Sequence, residues 1–451
     1  MQDSSYSHSV LSGKALGAND TGTSAAKDSA KLIAFYLPQF HRVAENSAWW
    51  GPGFTEWTNV ASAKPNFIGH HQPQVPRELG FYDLSSVNVM REQTELARLA
   101  GLSGFCFYHY WFSGKRILET PVNNFVASDI SFPFCVCWAN ENWTRTWQGD
   151  SKSVLLEQRY ETGDEDRLIE SLLPLFRDAR YIKVNNKPLF VVYRAKELPN
   201  PAASAQRWRD AAVRLGLPGL HIAAVDFYDI SDPREVGADA LVEFPPHKFN
   251  GGENAPANPP AITNPSFSGT LVDYRKVVAQ SAARETPSFT LYRGIMPGWD
   301  NTARRQDTPL IVLDSSPALF GAWLRYLRAW TAITRPDCQD PFIFVNAWNE
   351  WGEGCHLEPD LRDGLGCIEE CARSEWVAAL EPVASLAAAR ERLDRDVRDA
   401  CERSGLEATA SILRYRGRSR WVHTLSTLLR PFSFIHGPAR SAYRRLRAVR
   451  G

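Results

Sequence analysis

The sequence predicts an α/β fold, a (β/α)8 TIM-like barrel with long loops at the C-terminal face, followed by C-terminal helices and a basic tail. Short apolar runs alternate with longer amphipathic runs, which is the pattern of βαβ units. Several of the short runs are apolar throughout, as expected of parallel strands that are buried on both faces. There are eight such runs, and this number favours a closed barrel over an open sheet.

The predicted strands cover residues 32–37, 104–110, 132–139, 189–194, 221–227, 240–244, 291–295 and 342–347. The clearest amphipathic segments between them cover residues 87–100, 167–177, 205–215 and 317–333, each with its apolar residues on one stripe. A barrel at 31–365 exceeds the ~250 residues typical of this fold. The excess fits long loops at 38–85 and 245–288, and the second loop, rich in Pro, Asn and Gly, is predicted to be irregular.

Three segments flank the predicted barrel. Residues 1–30 are rich in Ser, Ala, Gly and Asp and are predicted to be disordered. Residues 366–405 are predicted to form one or two amphipathic helices, and residues 406–451 a basic amphipathic tail with ten Arg and no acidic residue from Ala408 onward. Either the tail makes a peripheral contact with an anionic inner membrane, or it is a solvated segment without a specific partner.

Composition excludes several classes of protein. A formal net charge of zero argues against a nucleic-acid partner. The eight cysteines lack the paired spacing of a zinc site, so reduced thiols in a cytoplasmic protein are expected. No stretch approaches the ~20 apolar residues of a membrane span. Phosphate-loop, serine-elbow and HExxH motifs do not occur, so the sequence predicts neither a cofactor nor a metal.

Polar and aromatic side chains follow nearly every predicted strand, at the ends where barrels of this kind carry their reacting residues. These side chains are Tyr36, Gln39, Tyr108, His109, Trp138, Asn140, Glu141, His247, Trp299, Asp300, Arg304 and Asn349. Seven of the 15 Trp fall between residues 49 and 147. A pyranose presents an apolar face to an indole and hydroxyls to polar groups. The pattern therefore predicts a wide cleft for a sugar chain, although any single Trp could instead pack a loop.

Glu350 and Glu353 lie three residues apart, just past the eighth predicted strand. A general acid and a general base must flank one glycosidic oxygen, and a turn loosened by Gly352 and Gly354 can direct two carboxylates to one point. Between indoles, one carboxyl should titrate high and act as the acid while the other stays ionised. Glu358 is a third member or a helper. The alternative is that the two are surface ion-pair partners.

Six segments resemble the WbsX-type family of O-antigen and other surface-polysaccharide clusters, also described as glycoside hydrolase family 99-like. They are FYLPQFH (35–41), WWGPGFTEWTNV (49–60), GFCFYHYWFSGKRILETP (104–121), WANENWTRTWQG (138–149), PGWDNTAR (297–304) and NAWNEWGEGCHLEPD (346–360). The resemblance covers about residues 31–360 and implies an enzyme that acts on a glycan. Within these segments the further expected substrate contacts are Glu56, Trp57, Trp143, Arg145 and Trp351.

The family is similar in fold to endo-acting α-mannosidases and α-mannanases, whose motif reads NEWHEG followed by a Glu. The resemblance implies that Glu350 is the base that takes the proton of the substrate's own 2-hydroxyl, so that the sugar closes as a 1,2-anhydro intermediate. It also implies that Glu353 is the acid that protonates the leaving oxygen and then the base that admits water or an acceptor. Gly352 replaces the His of that motif.

Three hypotheses for function follow. The first is a retaining glycoside hydrolase or transglycosylase that cleaves or transfers an α-linked sugar within a surface polysaccharide. The second is a nucleotide-sugar-dependent glycosyltransferase of O-antigen or lipopolysaccharide biosynthesis, which a cytoplasmic location and a basic tail favour. Such transferases often carry a DxD motif at a strand end, but the DxD strings here, at 164–166 and 394–396, precede or lie within predicted helices. The third is a glycan-binding protein without turnover.

Overall fold

The computed structural model describes residues 30–144, 154–227 and 229–405. Its centre is a barrel of eight parallel strands, which confirms the predicted fold class and all eight predicted strands, with ends that shift by a few residues at most. The strands are β1 (Lys31–Tyr36), β2 (Leu102–Phe112), β3 (Phe134–Trp138), β4 (Lys187–Val192), β5 (His221–Val225), β6 (Ala240–Val242), β7 (Thr290–Ile295) and β8 (Phe342–Val345). The predictions made for residues 1–29, for Arg145 and for the tail at 406–451 lie outside the described residues.

The barrel closes at β1, which pairs in parallel with both β2 and β8. Every other barrel strand pairs with the strands before and after it in the chain. Parallel neighbours need crossover connections, and helices supply most of these. Since all the strands run in the same direction, the loops that follow them gather at one face.

The helices are α1 (Ala44–Trp50), α2 (Trp57–Ser62), α3 (Val87–Leu99), α4 (Thr120–Ala127), α5 (Asp164–Phe176), α6 (Pro201–Arg214), α7 (Tyr274–Ala283), α8 (Pro317–Thr334), α9 (Gly366–Leu380) and α10 (Leu386–Arg403). The four helices predicted between the strands correspond to α3, α5, α6 and α8. α9 and α10 both pack against α8. Arg325 of α8 joins them, because its guanidinium bonds Glu370 at 2.9 Å and Asp396 at 2.9 Å.

The segment at 245–288 is more regular than predicted. It contains a strand, Thr270–Asp273, and then α7, which begins where the Asp273 side chain accepts a hydrogen bond from the backbone N–H of Arg275 at 2.9 Å. Val277 and Val278 bury one face of α7 against the barrel. The ten-residue helix was missed because its apolar stripe is short and its surroundings are rich in Pro and Asn. The loop at 38–85 likewise contains α1 and α2.

Neighbouring residues of a barrel strand point to opposite sides of the wall. Phe35 points into the barrel, where its ring contacts those of Tyr108 (centroids 5.7 Å apart) and Phe244 (4.9 Å). Tyr36 points outward and donates a hydrogen bond to Gln93 Oε1 of α3 at 2.6 Å. At this level the barrel interior is therefore filled by aromatic side chains.

The eight cysteines are all free, and seven of them are buried. Burial raises the pKa of the Cys106, Cys137 and Cys355 thiols, which keeps them protonated and unreactive. Among the described residues, no helix combines the length and apolar character needed to cross a membrane.

Gly294 of β7 provides a test of how tightly the barrel wall is packed. A Cβ at this position would lie 2.0 Å from the backbone oxygen of Glu243, the residue just past β6. We expect Gly294→Ala to lower the free energy of unfolding by about 1–3 kcal/mol, because the wall must shift to admit one methyl group. Urea unfolding measures the change. Gly252→Ala is the control, since a Cβ there would meet nothing within 4 Å, and equal stability of the two variants would contradict the expectation.

Candidate active site

Glu350 and Glu353 lie on a tight hairpin that follows β8. Asn349–Glu350 pairs in antiparallel register with Cys355–His356, and a 3-10 turn at Trp351–Glu353 connects the two strands. Gly354 ends the turn with φ +56°, a left-handed conformation that glycine adopts without strain. The hairpin therefore places both carboxyl groups at the C-terminal face of the barrel.

The Arg304 guanidinium joins these two carboxyl groups. Its Nη2 donates to Glu350 Oε2 at 2.8 Å and its Nη1 forms an ion pair with Glu353 Oε1 at 2.6 Å. The third nitrogen, Nε, donates to Oε1 of Glu56. The four side chains are largely buried, the most exposed being Glu353, whose side chain is 20% accessible. One cation is thus surrounded by three acids.

Loss of water contact raises the pKa of Glu350 well above that of an ordinary glutamate, and Arg304 only partly opposes this. The pKa of Glu353 is also raised, again chiefly by burial. The negative charge of Glu56 raises both, and the two carboxyls titrate as a pair. Such a pair keeps a proton at a higher pH than an ordinary glutamate does, as acid–base chemistry near neutral pH requires.

The pair faces a cleft of about 210 Å³, which opens where the strands end. The cleft is lined by Leu37, Gln39, Trp50, Tyr108, Tyr110, Ala139, Glu141, Asn142, Trp143, Leu155, Tyr193, Phe244, Arg304, Glu350 and Glu353. Of the side chains predicted from the sequence, this cleft brings together Gln39, Tyr108, Glu141, Trp143 and Arg304 with the two acids. The walls combine indole and phenol rings with polar groups, as a sugar site requires.

Trp50, Tyr110 and Tyr193 line the cleft but were not among the predicted contacts. Tyr110 could have been found, because it lies two residues after Tyr108 on β2 and therefore shares its face. Its ring packs edge-on against Trp143, with centroids 5.3 Å apart. Tyr193 follows β4 directly, and this position at a strand end could have identified it as a cleft residue.

The side-chain amide of Gln39 uses one of its two polar atoms in a hydrogen bond with the described residues and leaves the other without a partner. Its Nε2 donates to the Tyr110 hydroxyl at 3.2 Å. Its Oε1 has no hydrogen-bond partner among the described residues, although Gln39 is only 6% exposed. A buried acceptor of this kind is costly unless a ligand satisfies it, which suits a sugar hydroxyl.

Several predicted contacts support the hairpin from below and do not line the cleft. Glu358 accepts hydrogen bonds from Tyr82 Oη (2.7 Å), Gln93 Nε2 (2.6 Å) and Trp351 Nε1 (2.6 Å). The side chain of Asn349 bonds both backbone groups of Leu37, at 2.7 and 3.0 Å. Two further predicted contacts join this scaffold: the indole of Trp57 donates to the Tyr82 backbone oxygen, and Tyr36 bonds Gln93.

Trp299 and Asp300 lie in a different cavity, beside the hairpin and lined also by Phe67, His70 and His356. Their placement differs from the prediction because residues 299–300 pair with the strand Leu310–Leu313, which turns them away from the two acids. Asp300 accepts from His70 Nε2 at 2.7 Å and Gln72 Nε2 at 2.6 Å, and it also caps the turn at Thr302. Its oxygens are therefore engaged within the protein.

The remaining predicted contacts at the β2, β3 and β6 ends also lie outside the lining. Trp138 donates its indole N–H to the Trp111 backbone oxygen at 3.1 Å, and Asn140 bonds the backbone of Arg194. Burial lowers the pKa of His109 to about 3 and that of His247 to about 4, so both rings are neutral. Trp138, Asn140 and His109 are buried and His247 is half-buried, and none of the four lines the cleft.

The family model described as "Glycosyltransferase WbsX" matches residues 32–371. Two relatives described as protein WxcX, from two strains of Xanthomonas campestris pv. campestris, are each 43% identical over 347 residues. The matched region is 75% of this chain and 49% of the relative, so the chain spans about half the length of these relatives.

Two solved structures are similar at a low level. One is the GH99 endo-alpha-mannosidase from Bacteroides thetaiotaomicron in complex with bis-tris propane, with a TM-score of 0.45, 14% identity, and coverage of 80% of this chain and 98% of that one. The other, a glycoside hydrolase-like protein, has a TM-score of 0.44, 14% identity, and coverage of 82% and 94%.

The buried Glu358 makes a test of the scaffold possible. Loss of water contact raises its pKa from 4.5 to about 7. Between these two values the folded chain binds more protons than the unfolded chain, so stability falls as pH rises through this window, by up to about 3 kcal/mol. Glu358→Gln should flatten this fall, because an amide does not titrate there. Urea unfolding at pH 4.5 and at about pH 7 measures the change in the free energy of unfolding across this window.

Glu370→Gln is the matched control for this experiment, because Glu370 is a largely buried acid in an ion pair with Arg325, away from the cleft. The control should keep the slope of the unaltered chain. If Glu358→Gln also keeps that slope, then Glu358 does not titrate in the window.

Proposed function

The chain belongs to the WbsX glycosyltransferase family, and from this premise we propose that it is a carbohydrate-active enzyme that cleaves or transfers an α-linked sugar within a surface polysaccharide. The proposed mechanism is the retaining one of glycoside hydrolases, with Glu350 and Glu353 as its two acids. One observation carries the proposal: two buried carboxyls with raised pKa values share one guanidinium at an aromatic-lined cleft.

The placement of the two acids suits joint action on one bond. Glu350 and Glu353 bind the two terminal nitrogens of a single guanidinium. Both carboxyl groups are therefore held at one part of the cleft, where an acid and a base can flank one glycosidic oxygen.

The assignment of roles follows the match to the resembling motif, and it requires that the one proton of the pair lie on Glu353 when substrate binds. The Glu350 side chain is 6% accessible and lies beside Tyr108 and Tyr110 on the cleft floor, where it can take the proton of the substrate's 2-hydroxyl. That oxygen then bonds to C1 as the C1–leaving-oxygen bond breaks. Glu353 is more exposed, at 20%, and gives its proton to the leaving oxygen.

The second half of the reaction reverses these proton transfers. Ionised Glu353 takes a proton from water or from an acceptor hydroxyl, whose oxygen bonds to C1 as the bond between C1 and the 2-oxygen breaks. The 2-oxygen recovers a proton from Glu350, and both acids return to their starting states. Water gives hydrolysis and a sugar hydroxyl gives transfer, so the same two acids serve both outcomes.

Charge disfavours a nucleotide-sugar donor in this cleft. Arg304 is the one cation among the described residues that line the cleft, and it is already bonded to Glu56, Glu350 and Glu353. Glu141 adds a further acid to the cleft wall. A diphosphate would meet a negative surface. The DxD strings do not change this, because Asp164 and Asp166 lie in the first turn of α5, where they pair with Arg167 and Arg214.

We expect Glu350→Gln and Glu353→Gln each to lower turnover by about 10²- to 10⁴-fold, because each amide removes one proton-transfer group. The purified chain and its variants would be incubated with α-mannan, with rhamnan and with the producing cell's own surface glycan. Mass spectrometry would then detect new reducing ends or transferred sugars. The Glu370→Gln variant described above is the control and should retain turnover.

Parallel incubations with nucleotide sugars separate the alternatives. Chain extension that requires a nucleotide sugar would contradict the hydrolase-type mechanism and support the glycosyltransferase hypothesis. Full turnover by either Gln variant would contradict the roles of the two acids. Tight glycan binding without any product would favour a binding protein.

The spare oxygen of Gln39 gives an independent test of the cleft. Gln39→Ala should lower kcat/KM by roughly 3- to 10-fold, because one hydrogen bond to a neutral group contributes about 0.5–1.5 kcal/mol. The exposed Gln206 of α6, which bonds Asp210 on the same helix, offers Gln206→Ala as a control. If both variants match the unaltered chain, Gln39 does not contact the sugar.

A further inference from the structure

Glu56 is an acid of the site that does not line the cleft. It lies just before α2, and its side chain is completely buried. Its Oε1 accepts from Arg304 Nε, and its Oε2 has no hydrogen-bond partner among the described residues. A carboxylate without solvent contact is expensive to bury. Its place beneath Arg304 therefore calls for a role other than direct contact with substrate.

Gly352 is the residue that makes room for Glu56. A Cβ at position 352 would lie 2.1 Å from Glu56 Oε1 and 2.9 Å from Arg304 Nε. Any other residue would therefore push the carboxylate away from the guanidinium. Gly352 also stands between Glu350 and Glu353 in the chain, at the point where the resembling α-mannosidase motif has His. The absence of a side chain there and the presence of Glu56 beneath it are two parts of one arrangement.

We propose that Glu56 and Gly352 form a positioning device for Arg304, which in turn holds Glu350 and Glu353 at one point of the cleft. The proposal rests on the proposed function of those two acids. The device fixes the guanidinium from below through Nε, so that both terminal nitrogens remain directed at the pair. Neither Glu56 nor Gly352 lines the cleft.

Glu56 also sets the charge that the pair experiences. Arg304 alone would favour the ionised form of both acids, whereas the nearby negative charge of Glu56 offsets that effect and raises both pKa values. The arrangement therefore orients the pair without removing its proton. The other titratable groups that interact with Glu350 are Tyr108, Tyr110 and Cys355, and those that interact with Glu353 are Glu141, Tyr193, Cys355 and Arg305.

Glu56→Gln isolates the charge, because the amide oxygen can still accept from Arg304 Nε. Removing a like charge lowers the pKa of both acids, so both limbs of the pH profile of kcat/KM should move to lower pH by roughly one unit. Glu56→Asp keeps the charge but is one methylene shorter. In Glu56→Asp both limbs of the pH profile of kcat/KM should therefore stay in place. The kcat should fall, because the shorter side chain no longer reaches the Arg304 guanidinium.

Gly352→Ala isolates the geometry. Its methyl group displaces the Glu56 carboxylate, and a misplacement of about 1 Å at a catalytic pair lowers kcat by roughly 10²-fold, with a smaller change in KM. Gly252→Ala and Glu370→Gln are the matched controls for the glycine and glutamate variants, and both should keep the kcat of the unaltered chain. Thermal unfolding of each variant shows whether it is folded.

A measurement without substrate tests the positioning device independently of the proposed function. The full chain is labelled with ¹³C at the glutamate carboxyl carbons, and the signals of Glu350 and Glu353 are assigned by their loss in the two Gln variants. Both titrations should move to lower pH in Glu56→Gln. If they do while no glycan is turned over, the device stands and the proposed function fails. Unchanged titrations in folded Glu56→Gln, or full activity in Gly352→Ala, would overturn the device.

Discussion

The site depends on one electrostatic constraint: the Arg304 guanidinium must hold three acids that are largely removed from water. Removing an ion from water costs several kcal/mol even after the protein relaxes, and partners must offset that cost. Arg can serve three acids because its planar fork carries donors on three nitrogens, whereas Lys presents a single charged nitrogen. Burial raises the pKa values of Glu350 and Glu353, the neighbouring acids add to that rise, and the single cation opposes it only in part.

The closed barrel explains how residues so far apart in the sequence meet at this point. Glu56 lies in the loop after β1, Arg304 follows β7, and the hairpin with Glu350 follows β8. β8 pairs with both β7 and β1, so the three loops leave the barrel side by side. In an open sheet β1 and β8 would be opposite edges, and the cluster could not form. Closure of the barrel is therefore a condition of the site as well as of the core.

Sequence patterns were sufficient for the barrel because its strands are short apolar runs separated by amphipathic helices. They also located Glu350, Glu353 and Arg304, since strand ends mark one face of such a barrel. They could not separate side chains that line the cleft from those that support it. Tyr36 and Tyr108 both lie near strand ends, yet Tyr36 bonds a helix outside the wall and Tyr108 lines the cleft. The role of Gly352 depends on a contact with the distant Glu56, which the sequence does not show.

Burial at a strand end does not by itself make an acid suited to proton transfer. Asp226 and Glu243, which follow β5 and β6, are as buried as Glu350, but Arg284 lies between them at 2.7 and 2.8 Å, and each has a second cation, Lys248 or Arg293. Burial acts to raise the pKa of Glu243, yet the two arginines outweigh it and bring the value to about 2. Glu243 therefore stays ionised, and the cluster of two acids and three cations holds the barrel wall together. Three acids around one cation keep a proton, so at similar burial the ratio of acids to cations separates the acids of the proposed active site from those that hold the barrel wall.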